Sequence, residues 1–84
     1  MIHTAGSTES SDCLIRISPS DHRRITIESI VFEQFGDAIH AVLNATLDHH
    51  GIERIHVECF DKGALDATIK SRLETALKRG GYLE

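Results

Sequence analysis

The apolar residues of this chain change period near residue 32, and that switch limits the fold more than any other feature. Upstream, apolar and polar positions alternate: Cys13, Ile15 and Ile17 share one face and Leu14 and Arg16 the other. The alternation resumes with Ile25, Ile27 and Val31 against Thr26, Glu28 and Ile30. Side chains two residues apart share a strand face, so both runs read as half-buried strands. From Phe32 the spacing becomes three and four, through Phe35, Ile39, Val42, Leu43 and Thr46 or Leu47. That is the stripe of an amphipathic helix. Alternation returns at Ile55, Val57 and Cys59, with Arg54, His56 and Glu58 opposite. A second helical stripe follows at Leu65, Ile69, Leu73, Ala76 and Leu77. The predicted order is β-β-α-β-α.

The punctuation residues agree with these boundaries. Ser18-Pro19-Ser20-Asp21 reads as a turn, with Pro19 fixing φ and removing a donor, so the first two strands are expected to pair as a hairpin. Gly51 falls where the first helix should end, just after His49 and His50; Asp61 is placed to cap the segment that follows the third strand, and Gly80-Gly81 ends the second helix. The second strand, first helix and third strand form a crossover, predicted right-handed with its strands parallel. Both helices then cover one sheet face. The fold class is α+β, a two-layer α/β sandwich with a small mixed sheet and two helices on one face. The opposite face, with Leu14, Arg16, Thr26, Glu28, Arg54, His56 and Glu58, is polar enough to meet water or a partner protein. Residues 1–11 have no sustained periodicity and read as a flexible arm, leaving 12–84 as a single domain.

Size and charge then exclude whole classes of function. A chain of 84 residues forms one core and buries roughly 60–65% of its unfolded surface, too little to enclose a deep substrate cavity. The net charge of −4 argues against nucleic acid, which needs clustered Lys and Arg. Lys70, Arg72, Lys78 and Arg79 gather in the last helix, where cations complement exposed carbonyls. No apolar run approaches the roughly 18 residues that span a bilayer, and no signal-peptide core precedes the first strand. Two distant cysteines make no disulfide framework, so a reducing, cytoplasmic setting is expected.

Catalytic side chains are hard to assemble from what remains. The six histidines include no H-x-x-x-H pair, so no metal site is expected. Cys13 and Cys59 share faces with aliphatic residues and read as small hydrophobes. Gly36 interrupts a helical pattern, either for a close approach or because Asp37 caps a first turn there; Asp61-Lys62-Gly63-Ala64-Leu65-Asp66 is a strand-to-helix turn. The polar run Ala5-Gly6-Ser7-Thr8-Glu9-Ser10-Ser11-Asp12 offers hydroxyls with no His or Asp spaced to activate them. A serine in that setting reads as something another enzyme modifies.

Three blocks, Ala5-Gly6-Ser7-Thr8-Glu9-Ser10-Ser11-Asp12, Gln34-Phe35-Gly36-Asp37-Ala38-Ile39 and Asp61-Lys62-Gly63-Ala64-Leu65-Asp66, resemble in order and spacing the citrate lyase acyl carrier protein (gamma subunit) family. The close of the last helix, Lys70 to Arg79, is similar too, so the resemblance covers nearly the whole chain. The family's attachment serine follows a glutamate and precedes an aspartate by two positions, which maps onto Ser10. The following residue, often glycine in the family, is Ser11 here, a second hydroxyl and an alternative site. Ser7-Thr8 also departs from the family's usual threonine and leucine. The resemblance implies a non-catalytic carrier subunit with 2'-(5''-phosphoribosyl)-3'-dephospho-CoA attached covalently to Ser10 by a dedicated prosthetic-group transferase. Its thiol would carry acetyl and citryl thioesters between a citrate lyase alpha subunit (acyl transferase) and beta subunit (lyase), during cleavage of citrate to oxaloacetate and acetate. Glu9 and Asp12 would guide the transferase, and Gly36, Asp37, Asp61, Lys62, Gly63 and Asp66 would serve docking or local turns. The carriers of malonate decarboxylase and citramalate lyase are similar alternatives, and an unmodified α/β dimerisation or regulatory module is a third.

Overall fold

The computed structural model describes residues 1–84. The chain runs β1 (His3–Gly6), β2 (Cys13–Pro19), β3 (Arg24–Ser29), α1 (Phe32–His49), β4 (Ile55–Asp61) and α2 (Asp66–Arg79). One sheet of order β1-β2-β4-β3 results, with β3 and β4 parallel and the other neighbours antiparallel. α1 packs over β3, α2 over β1 and β2, and the helices touch each other. This is the two-layer α+β sandwich that the periodicity predicts, and β3-α1-β4 joins parallel neighbours as expected.

Two expectations are corrected. His3–Gly6, assigned to a flexible arm, is an edge strand paired with β2 from His3↔Ile17 to Gly6↔Leu14, so the order gains a strand and becomes β-β-β-α-β-α. Only Ala5 of its four residues is buried, which leaves no alternation to read. Its support comes from elsewhere: the free edge of β2, and Arg79, whose Nη1 donates to the Thr4 carbonyl at 2.8 Å. The predicted hairpin of β2 with β3 is also absent, because β4 lies between them. The inward residues Ile55, Val57 and Cys59 of β4 are all buried, and a strand this apolar is best covered with neighbours on both edges. The chain after Pro19 therefore passes across the end of β4, held by Arg23. Its guanidinium donates to Asn44 Oδ1, Asp48 Oδ1 and the Ile52 carbonyl, each at 2.6 Å, and to Glu53 at 3.0 Å.

The core is a single cluster between sheet and helices. Its fully buried members include Ile15, Ile17, Leu43, Leu47, Ile55, Val57, Ile69, Leu73 and Leu77, each contributing about 1.5–3 kcal/mol on burial. α1 ends with the Ile52 amide donating to the Leu47 carbonyl and the Gly51 amide to that of Asp48, a Schellman closure. α2 closes the same way, Tyr82 to Leu77 and Gly81 to Lys78. On the open face Arg16 pairs bidentately with Glu58 directly across the strands and lies over the Phe60 ring at 5.4 Å. No helix is long and apolar enough to cross a membrane.

The apolar stripes are not buried to their ends. Phe32 and Phe35 stay 53% and 55% exposed, Leu65 precedes α2 rather than joining it and is 75% exposed, and Ile30 beyond β3 is 66% exposed.

Candidate functional site

Three chain connections meet at one end of the sheet. β2 begins there and β3 and β4 end there, as the pairings Cys13↔Asp61 and Ser29↔Asp61 record. The loop 7–12, the turn at 30–31 and the segment 62–65 therefore converge, and both helices start at this pole.

The loop 7–12 is built from its base upward. Its first strand ends at Gly6, where φ is +92° and a Cβ would lie 1.9 Å from the Cys13 carbonyl oxygen, so only glycine lets the two strands close. The Ser7 amide then donates to that same carbonyl at 3.1 Å. Beyond it, the Asp12 amide donates to the Glu9 carbonyl at 3.1 Å, closing a four-residue turn. Ser11 has φ +65° and Ser10 a negative φ, the sign pattern of a type II turn with Ser10 second and Ser11 third. The turn is fastened to the end of β4: the Ser11 amide donates to the Lys62 carbonyl at 2.8 Å and the Lys62 amide to that of Asp12 at 2.9 Å.

Asp12 ties this loop to α2. Its carboxylate accepts from the Ser7 hydroxyl and the Cys13 amide at 2.7 Å each, and from Arg72 Nε and Nη2 at 3.0 and 3.2 Å. The Arg72 guanidinium, with the Ser7 hydroxyl and Cys13 amide, lowers its carboxyl to about 2. Ser10 stands at the exposed tip of this anchored turn, and its hydroxyl has no partner within the chain. The Ser11 hydroxyl is exposed as well, but the Ser11 amide is committed to Lys62.

The other sequence candidates fall into distinct places. Glu9 is exposed at the start of the turn. Asp61 is 2% exposed and accepts from the Ser29 hydroxyl and the Ala64 amide at 2.8 and 2.9 Å, so it shapes the 61–64 turn. The expectation that Asp61 caps the following segment holds for that turn but not for α2, whose N-cap is Leu65 with no side-chain bond. Lys62 is half-buried with its backbone bonded to Ser11 and Asp12, Gly63 is exposed at φ +91°, and Asp66 opens α2 in the open. Gly36 lies inside α1, not at its first turn, with the Phe32 ring 2.9 Å from where a Cβ would be; Asp37 is exposed one position on. Sequence reasoning missed Ser7 and Arg72 as the partners of Asp12. For Arg72 no local signal exists, since 60 residues separate the pair.

Chemistry elsewhere is sparse. Cys13 and Cys59 are free and buried, and the neighbouring Cys13 thiol together with burial pushes the Cys59 thiol far up, which suits an inert side chain. His50 Nε2 meets Glu74 Oε2 at 2.8 Å and His56 meets Thr26 at 2.9 Å, while no three His, Cys, Asp or Glu side chains converge as a ligand set. A shallow apolar groove of about 720 Å³ opens at the Ser10 pole, lined by Val31, Phe35, Ala38 and Ile39 on one side and 63–67 on the other.

Residues 2–80 match the family described as ACP, malonate decarboxylase delta subunit (MdcD). The citrate lyase acyl carrier protein of Streptococcus mutans serotype c is 49% identical over 82 residues, covering 95% of this chain and 80% of that protein. The chain belongs to this acyl carrier protein family. The citrate lyase acyl carrier proteins of Escherichia fergusonii and Treponema denticola are 46% and 42% identical, covering 89% and 88% of this chain and 79% and 85% of their own lengths. The fold recurs in a chain of a Pseudomonas malonate decarboxylase hetero-tetramer solved with malonate, at a TM-score of 0.77 and 16% identity over 93% of this chain and 81% of that one. The α+β architecture and the acyl carrier role thus have independent support, one from fold and one from sequence.

Proposed function

We propose that this chain is the acyl carrier subunit of a citrate lyase, with Ser10 as the point of covalent attachment. One observation carries the reading: in a member of this family, the Ser10 hydroxyl is exposed and unpaired at the tip of a turn whose base is fastened at Lys62 and Asp12. A phosphodiester can form there without breaking a hydrogen bond or opening the core. The group this reading attaches to Ser10, 2'-(5''-phosphoribosyl)-3'-dephospho-CoA, would supply the thiol that carries acyl units. The chain's own residues do the rest. Asp12, Arg72 and Ser7 hold the loop, Ser10 anchors the arm, and the chain offers no acid, base or nucleophile to the reaction. A tethered cargo keeps an effective concentration on the order of millimolar at each partner site. The alpha and beta subunits of the lyase and a prosthetic-group transferase are the partners this reading requires. Relatives named citrate lyase acyl carrier protein, at 42–49% identity, favour the citrate-type carrier, although the family model that matches residues 2–80 bears the malonate decarboxylase description.

The test is peptide mass spectrometry on protein made with the transferase. The expected result is an adduct of the prosthetic group on the Ser10 peptide, lost in Ser10→Ala. An adduct on Ser11 alone moves the site, and its absence from both serines under conditions that load a known citrate lyase carrier overturns the reading.

A further inference from the structure

Four large apolar side chains, Ile30, Phe32, Phe35 and Leu65, remain between 53% and 75% exposed, and all belong to the connections and first helical turns at the Ser10 pole. Apart from Met1 and Ile2 at the chain terminus, no other large hydrophobic residue is so exposed. Phe35 and Leu65 line one groove of this pole and Ile30 the cleft on the other side of Asp61, and exposed apolar surface of this kind marks a face that another molecule covers. Around it stand the exposed carboxylates of Glu9, Glu28, Glu33 and Asp66, none of them in an ion pair. Lys62 and Lys70, the latter one helical turn after Asp66, are the unpaired ammonium groups beside them, fewer than the carboxylates, since Arg72 is engaged by Asp12.

We infer that this pole is the docking face of the carrier, and that its occupant is a protein surface with an apolar recess rimmed by Lys and Arg. Phe35 and Leu65, facing each other across the groove, are the anchors; apolar anchors inside a charged rim are the usual anatomy of a specific interface. Charge selects among occupants. A second copy would bring one acidic rim against another, which is unfavourable. A phosphate-bearing arm lying back on its own carrier would meet the same carboxylates. A basic-rimmed protein meets neither obstacle, and when it covers Phe35 and Leu65 it also faces Ser10, because the Ser10 turn is fastened to Lys62, three residues before Leu65. Docking and delivery then coincide. The inference rests on the carrier reading and identifies which face that carrier presents.

The experiment titrates the full chain, carrying its Ser10 group, into purified citrate lyase alpha and beta subunits, with Phe35→Ser and Leu65→Ser compared with the unaltered sequence. Both sites are exposed, so unchanged thermal melts are expected and confirm folding. The expected result is affinity for at least one subunit weakened by about tenfold or more in each variant. Asp66→Lys should lower the association rate, and that difference should shrink from about 0.05 M to about 0.5 M salt. Affinities within about twofold of the unaltered chain overturn the inference. So does a self-associated chain that Leu65→Ser converts to monomer, or amide shifts at Phe35 and Leu65 that follow loading of Ser10 without any subunit present. The Ser10 adduct on the unaltered chain decides the carrier reading separately: an adduct with unchanged affinities removes the docking face alone.

Discussion

Ser11 holds φ at +65°, where a side chain other than glycine, Asn or Asp is strained, and it does so beside the residue proposed to be modified. The turn demands that conformation at its third position, which glycine adopts without steric cost. Ser11→Gly is expected to stabilise the fold by about 0.5–1 kcal/mol, as read by chemical denaturation, because relief of strain exceeds the added entropy of the unfolded chain. The adduct should remain on Ser10. Asp12 makes the second prediction at this scale. Its folded carboxyl titrates at about 2, below its unfolded value. Its stabilising effect is therefore complete above about pH 4 and is lost as pH falls through about 2. Melting temperatures followed through that window should fall less steeply for Asp12→Asn than for the unaltered chain, and amide exchange at Ser11 and Cys13 should already be faster in the variant at neutral pH. The polar, hydroxyl-rich run around Ser10 was legible as such because it is local. Its anchor was not, because Arg72 reaches Asp12 only after α2 has packed across β1 and β2.

Among the elements, β1 separates what periodicity can report from what it cannot. α1, α2, β2, β3 and β4 each carry five or more periodic positions, so their types were legible before any contact was known. β1 has four residues and one buried side chain, and it exists because β2 offers a free edge and Gly6 permits the approach. The neighbour order was illegible for a related reason: alternation assigns a face to each residue but not a partner to each strand. Hence β2 and β3, consecutive in sequence, were expected to pair, and β4 took the place between them. Gly6→Ala tests the strand's dependence on that one close approach. A methyl 1.9 Å from the Cys13 carbonyl, with φ at +92°, should cost about 2 kcal/mol or more by denaturant titration. Proteolysis within residues 1–12 should rise while the α2 core stays protected. Equal cleavage throughout the chain would mean instead that β1 is integral to global stability.

For the whole molecule, the two helix N-termini and the acidic rim occupy the same pole, and this links stability to the proposed docking. Glu33 and Asp66 lie in the first turns of α1 and α2, where unsatisfied amides carry partial positive charge. Neither helix has a side-chain N-cap bond, so these carboxylates are the electrostatic partners their first turns have. Each should contribute about 0.3–1 kcal/mol at low ionic strength. The same charges repel one another and the phosphates proposed to hang from Ser10, so the pole balances helix stabilisation against crowding of like charge. A basic-rimmed partner relieves that crowding without removing the dipole contribution. The Glu33→Gln and Asp66→Asn double variant of the isolated chain is therefore expected to be less stable by about 0.5–2 kcal/mol at low salt, the two sites being on different helices and near additive. Raising the salt to about 0.5 M should shrink the difference, since screening then acts within about 5 Å. A double variant more stable than the unaltered chain at low salt would show that repulsion at the pole outweighs the dipoles, and that the carboxylates are retained there against the interest of the fold.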